Sequence, residues 1–161
     1  MFEYVKANRE QLEKVWDFNI ANHPGDSRWV RWKERNIREY EEGKISTYLV
    51  LVDGQPIGEG SLLWNEHCYA VKNRLQLAKD GEICNLNGLR IIKSYEGQGH
   101  ISKLFKVMEQ DAKNRGYQAI TIGVEEEEKR NYAIYTHLGY TELVLKEFED
   151  GAEVLYLQKN I

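Results

Sequence analysis

Residues 89–105 read Leu-Arg-Ile-Ile-Lys-Ser-Tyr-Glu-Gly-Gln-Gly-His-Ile-Ser-Lys-Leu-Phe. The segment leaves an apolar, β-branched run and enters a helical one, with Gly97 and Gly99 at the junction. Ile101, Leu104, Phe105, Met108 and Ala112 recur at helical spacing, which gives one apolar stripe, and Gly116 ends the helix. Glycine lets backbone approach a ligand closely. The first turn of a helix offers unpaired N–H groups at the positive end of its dipole. A strand, a Gly-x-Gly turn and an immediate helix therefore make a phosphate cradle. The same two glycines also suit an ordinary loop, and this segment alone leaves both readings open. Neither Gly-x-x-x-x-Gly-Lys-Ser/Thr nor Gly-x-Gly-x-x-Gly occurs, which excludes a P-loop NTPase and the dinucleotide fingerprint.

Downstream, residues 118–124 (Gln-Ala-Ile-Thr-Ile-Gly-Val) predict a strand and 128–137 a short helix followed by Gly139. Tyr135 and Asn131 are four apart and share a helix face, although a single tyrosine is commonly a core or surface residue. Residues 141–148 and 153–159 pair around Asp150-Gly151 as a hairpin. Upstream, residues 82–92 form a strand in which Gly88 marks a bulge or a close approach. Residues 45–52 and 56–64 flank the hairpin turn Asp53-Gly54, and 65–80 read as a loop with a short helix. Residues 2–6 form a strand. Asn8 and Gln11 start a helix with Leu12, Val15 and Trp16 on its apolar face. The 21–25 segment breaks that helix, and Asp26 or Ser27 caps the next. There Trp29, Trp32, Asn36, Ile37 and Tyr40 make a face with Asn36 as its polar member, and Gly43 ends the helix. The order β-α-α-β-β-β-α-β-α-β-β predicts an α/β sheet of mixed direction.

The chain has 161 residues, which predicts one domain over 1–161, and no linker or repeat divides it. Lys and Arg number 22 against 26 Asp and Glu, so a net charge of -4 gives no basic field for nucleic acid. No apolar run approaches the ~20 residues of a membrane span, and residues 1–6 do not read as a signal peptide. Cys68 and Cys84 are the two cysteines, too few for a disulfide scaffold or a four-Cys zinc site. They fit the reducing cytoplasm. His23, His67, His100 and His137 lack metal-ligand spacing, so no metal is expected.

The segments 89–105 and 128–140 together resemble the GNAT superfamily of N-acetyltransferases. Those enzymes show a strand ending in Val, then Pro-x-x-Arg/Gln-x-x-Gly-x-Gly/Ala opening a helix, then a second strand and Asn-x-x-Ala-x-x-x-Tyr-x-x-x-Gly-Phe. Here Ile91 takes the Val place, Gly99 the central Gly, Tyr135 the Tyr, and Gly139-Tyr140 the Gly-Phe. The departures are Lys93 at the Pro place, Glu96 at Arg/Gln, Ile101 at the last Gly/Ala, Glu128 at the Asn and Asn131 at the Ala. The resemblance implies a GNAT-like mixed central sheet of about six to seven strands with about four helices.

It also implies acetyl transfer from acetyl-coenzyme A to a primary amine without a covalent enzyme intermediate. The expected coenzyme contacts are Leu89, Ile91, Glu96, Gly97, Gln98, Gly99, His100, Ile101, Asn131 and Tyr135. Those of Glu96 and His100 are made through backbone. A free N–H near Ile91 would hold the thioester oxygen, and Tyr135 would protonate the leaving thiolate. Places that hold a Glu base in some members carry Asn85 and Gly123, with Glu82 and Glu125 nearby. A water relay or an already neutral amine is an equal option. Glu125-Glu126-Glu127-Glu128 suits a solvated helix start or a lure for a cationic acceptor, and Trp29 or Trp32 could line the acceptor pocket. Expected partners are a small-molecule or peptide amine, with a homodimer allowed and neither nucleic acid nor membrane. The alternative is a catalytically degenerate fold that senses acyl-coenzyme A or binds a protein.

Overall fold

The computed structural model describes residues 1–161. Its elements follow the predicted order: β1 (Phe2–Lys6), α1 (Arg9–Ala21), α2 (Arg28–Glu41), β2 (Ile45–Val52), β3 (Gln55–Leu63), β4 (Ile83–Ile91), α3 (His100–Asn114), β5 (Ala119–Glu125), α4 (Lys129–His137), β6 (Glu142–Glu149) and β7 (Ala152–Asn160). A short 3₁₀ turn, Lys93–Tyr95, precedes α3. The seven strands form one sheet in the order β1-β2-β3-β4-β5-β7-β6. All neighbours are antiparallel except β4 and β5. No helix is long and apolar enough to cross a membrane.

Local chemistry sets the element ends. Asn8 Oδ1 accepts from the Gln11 N–H at 2.8 Å and Gln11 Oε1 from the Asn8 N–H at 3.0 Å, which closes a capping box on α1. At α2, Asp26 rather than Ser27 takes the Arg28 N–H, at 3.1 Å. Asp53 and Gly54 both have positive φ, as the tight β2–β3 turn requires. Asn36 is polar on its helix face because its Oδ1 accepts from Trp16 Nε1 at 3.0 Å. The 65–80 segment contains turns and no helix. Lys72 and Asn73 there adopt positive φ, which ends any helix, and buried Cys68, Val71, Leu77 and Ala78 hold the loop against Ile45 of β2 and Leu63 of β3 in a small separate core.

Alternation along β2 assigns the two faces of the sheet. Tyr48 and Val50 pack with Leu104, Phe105 and Met108 of α3 and Tyr135 of α4. Leu49 and Leu51 pack with Leu12, Val15 and Trp16 of α1 and Trp29 of α2. Helices α3 and α4 thus cover one face, and α1 and α2 the other.

Gly88 makes the bulge expected of it. Glu59 pairs with Arg90 and Ser61 with Asn87, so β4 carries one residue more than β3 across that interval. The extra residue reverses which face each β4 side chain meets. Cys84 and Leu86 point into the α3–α4 core before the bulge, and Leu89 does so after it. Arg90 is thereby turned to the α1–α2 face, where its guanidinium lies 5.2 Å from the Trp29 ring centre.

Candidate active site

The parallel ladder between β4 and β5 runs only from Ile83–Ala119 to Leu86–Ile122, although β4 continues to Ile91 and β5 to Glu125. The two strands splay at the end where α3 and α4 begin. A cavity of about 790 Å³ occupies this opening. Leu89, Ile91, Glu96, Gly97, Gly99, His100, Ile101, Asn131 and Tyr135 all line it, so the structure gathers nine of the ten predicted contacts. Gln98 does not line it. Its amide folds back on the turn, Nε2 donating to the Ser94 carbonyl at 3.3 Å and Oε1 lying 3.3 Å from His100 Nε2.

The cradle is open. Gly97 and Gly99 have φ of 74° and 84°, the left-handed region that favours glycine. A Cβ built on either would meet no atom within 4 Å, so the space beside both is free for a ligand. Gly99 caps α3 without a side-chain bond, leaving the first-turn N–H groups available to an anion. The His100 ring turns away from the cavity mouth into the fold, with Nδ1 2.8 Å from Tyr4 Oη. Ile101 packs on the core, so only backbone at these two positions is free for a ligand. Glu96 does not stand as a bare acid beside the cradle, because Arg130 Nη1 donates to its Oε2 at 3.1 Å. These residues fit a pyrophosphate.

Farther in, the Ile92 N–H donates to the Ile57 carbonyl of β3 at 2.8 Å. Strand alternation then turns the Ile91 N–H toward the splay. Tyr135 is buried, its ring stacked on Phe105 at 6.2 Å between centres. Burial, with a smaller contribution from the Glu128 charge, pushes its phenol up to about 12. It therefore keeps its proton at any physiological pH. The Asn131 amide donates to Glu128 Oε2 beside it.

None of the expected base positions offers a free base. Asn85 is buried and donates to Thr121 Oγ1 at 2.9 Å, whose hydroxyl in turn donates to the Leu77 carbonyl. At Gly123 a Cβ would lie 2.8 Å from Tyr156 Cε1, so no side chain fits there. Glu82, ion-paired with Lys79, precedes β4 at the far end from the cradle. Glu125 is exposed and does not line the cavity. A hydrogen bond and like charge from Glu128 raise its carboxyl.

The opposite wall of the cavity was not legible in advance. Glu59 of β3, the one buried carboxylate, accepts from Asn19 Nδ2 at 3.1 Å and from Arg90 at 2.8 and 3.1 Å. A charged residue inside each of two apolar strands was the available signal. His23, from the turn after α1, lines the same wall. Glu59 and Arg90 also border a second cavity of about 280 Å³ on the α1–α2 face, next to Trp32, Arg35 and Asn87. Trp32 lines that smaller cavity, while Trp29 is buried behind His23. No group of three or more His, Cys, Asp or Glu is placed to hold a metal.

The glycine turn at the start of α3, the splayed parallel strand pair and Tyr135 thus meet at one cavity. The acetyltransferase (GNAT) family matches residues 9–140, and the chain belongs to it. Among solved structures, the PaiA N-acetyltransferase of Thermoplasma acidophilum with coenzyme A is 16% identical. Its TM-score is 0.66, over 100% of this chain and 99% of that one. An aminoglycoside 6'-N-acetyltransferase with coenzyme A has a TM-score of 0.69 at 12% identity, over 98% and 96% of the two chains. A spermidine N-acetyltransferase chimera of Vibrio cholerae SpeG and hSSAT has 0.68 at 16% identity, over 99% and 95%. No curated protein matches the chain.

Proposed function

We propose that the protein moves an acetyl group from acetyl-coenzyme A to a primary amine by direct transfer. The carrying observation is that the open Gly97–Gly99 cradle and the protonated Tyr135 face one cavity at the β4–β5 splay. In this reading the backbone of Glu96, Gly97 and Gly99–Ile101 holds the pyrophosphate at the start of α3. Leu89 and Ile91 run beside the pantetheine, and Asn131 is a polar contact. The amine nitrogen attacks the thioester carbon, and the Ile91 N–H stabilises the oxyanion that forms. As the C–S bond breaks, Tyr135 gives its proton to the sulfur, and the nitrogen gives up one of its two protons as the amide forms, which restores the phenol.

The amine enters from the α1–α2 side, past Asn19, His23 and Arg90. The structures compared above include enzymes named for aminoglycoside and spermidine acceptors, which supports an amine as acceptor here. Both cysteines are free and buried, which suits a reducing compartment such as the cytoplasm. A second reading, a coenzyme sensor without turnover, draws on the occupied base places at Asn85 and Gly123. Release of free thiol from acetyl-coenzyme A, followed over a panel of amines, separates the two. Acceptor-dependent release supports transfer, and tight coenzyme binding with no release for any amine supports the sensor.

A further inference from the structure

An amine in water is mostly an ammonium ion, and direct transfer needs a group that removes its proton. Each titratable group lining the main cavity can be examined for a free lone pair. Glu59 is engaged by Asn19 and by two bonds from Arg90. Glu96 is engaged by Arg130. His100 is held between Tyr4 Oη and Gln98 Oε1. Tyr95 and Tyr135 are phenols, which in their neutral form are proton donors and not bases, and Arg90 and Arg130 are cations. His23 differs from all of these. Its Nδ1 lies 2.7 Å from the Asn19 carbonyl oxygen. A carbonyl can only accept, so Nδ1 carries the hydrogen and Nε2 of the neutral ring carries a lone pair. The ring is fixed as well as polarised, stacked on buried Trp29 at 3.9 Å and 14°.

Resting on the N-acetyltransferase reading above, we propose that His23 is the catalytic base of this enzyme. Its Nε2 takes a proton from the ammonium form of an aliphatic amine acceptor. The step balances without any further reactant: R–NH₃⁺ and neutral imidazole become R–NH₂ and imidazolium. The lone pair so released attacks the thioester, and the proton the nitrogen then sheds on becoming an amide replaces the one that Tyr135 gives to the sulfur. His23 sits on the exposed turn between α1 and α2, so the imidazolium returns its proton to water. Asn19 is the positioning residue. Its backbone carbonyl sets the His23 tautomer, while its side-chain amide holds Glu59. The charges around the ring are Glu59 from β3 and Arg90 from β4 in the cavity. Asp26 and Arg28 from its own turn and α2 are paired with each other at 2.8 Å.

Two variants keep different parts of the environment. His23→Phe preserves the stack on Trp29, and His23→Gln preserves a donor toward Asn19. With spermidine, an aminoglycoside or a peptide N-terminus as acceptor, each should lose roughly 10²-fold or more in kcat/KM at neutral pH. Coenzyme A affinity by calorimetry should stay within about twofold, since neither change touches the cradle. Raising the pH deprotonates the amine in solution, so the deficit should shrink toward alkaline pH. A deficit that is constant with pH would make His23 structural and overturn the proposal, as would full kcat/KM in His23→Phe. Nitrogen-15 NMR of the wild type supplies an independent readout: a protonated Nε2 with bare Nδ1 in the neutral ring would also overturn it. A wild type that binds acetyl-coenzyme A yet acetylates no amine would instead defeat the transferase reading, and His23 as base with it.

Discussion

Glu96 and Arg130 meet at 3.1 Å across the mouth of the cradle, tying the turn before α3 to the first turn of α4. The pair is solvent-exposed, so its worth to folding is small, about 0–1 kcal/mol. Its effect is electrostatic. The acid that departs from the family pattern is neutralised by a cation that the pattern does not include.

Glu96→Gln should therefore leave coenzyme A binding unchanged or tighten it by a few-fold, because the freed Arg130 faces the pyrophosphate. Arg130→Ala should do the reverse and leave an unpaired carboxylate there. Calorimetry on both variants checks the signs, and a large loss in Glu96→Gln would assign that carboxylate a role of its own.

Gly99→Val places a branched Cβ in the open cradle at φ 84°. The left-handed backbone costs a branched residue of order 1–3 kcal/mol, which would lower Tm by several degrees. The coenzyme dissociation constant should rise at least about tenfold, from the steric block. A folded variant with unchanged affinity would move the cradle elsewhere.

Tyr135→Phe keeps the stack on Phe105 and removes only the hydroxyl. Turnover should fall by roughly 10²–10³-fold, with the Michaelis constant for acetyl-coenzyme A almost unmoved. Since burial holds the phenol near about 12, the acid form persists throughout the working range. Tyr135 should impose no alkaline fall in kcat below about pH 10. An alkaline limb there that disappears in Tyr135→Phe would contradict this.

Arg90→Leu removes the main partner of buried Glu59, whose side chain is only 9% exposed. Leaving that acceptor poorly satisfied should cost about 1–3 kcal/mol of stability. Adding Glu59→Gln should return most of it, which a denaturant double-mutant cycle would measure.

Cys68 and Cys84 are shielded thiols, and burial pushes Cys68 up to about 11 and Cys84 higher still. A thiol reagent at pH 8 should modify neither at an appreciable rate in the native protein. Both should react once denaturant is added. Fast native labelling would mean the 65–80 loop opens readily.

The order of elements was legible because periodicity and turn chemistry are local. Asp53-Gly54, Asp150-Gly151, the Asn8–Gln11 box and the α3 stripe each fix their own segment. The glycine turn before α3 was legible for the same reason, since Gly97 and Gly99 adjoin the helix they open. Residues 65–80 were not, because that loop's apolar residues fill a local core without helical spacing. His23, Glu59 and Arg90 escaped because they meet only after three separate elements pack. Arg90 reaches the α1–α2 face only because Gly88 shifts the parity of β4. The Gly88 bulge could be read from sequence, whereas its consequence for Arg90 needed the register with Glu59.

The short ladder between β4 and β5 has a mechanical consequence. Four register pairs, Ile83–Ala119 to Leu86–Ile122, with the Gln118 N–H donating to the Glu82 carbonyl beside them at 2.9 Å, make the ladder between a four-stranded plate and a three-stranded one. Beyond Leu86 no ladder joins the plates, which stand apart like covers on a short spine. A coenzyme held in this opening, as proposed, would bond to both margins and act as a splint. At a hundredfold excess over its dissociation constant such a cargo adds about 2.7 kcal/mol of stability.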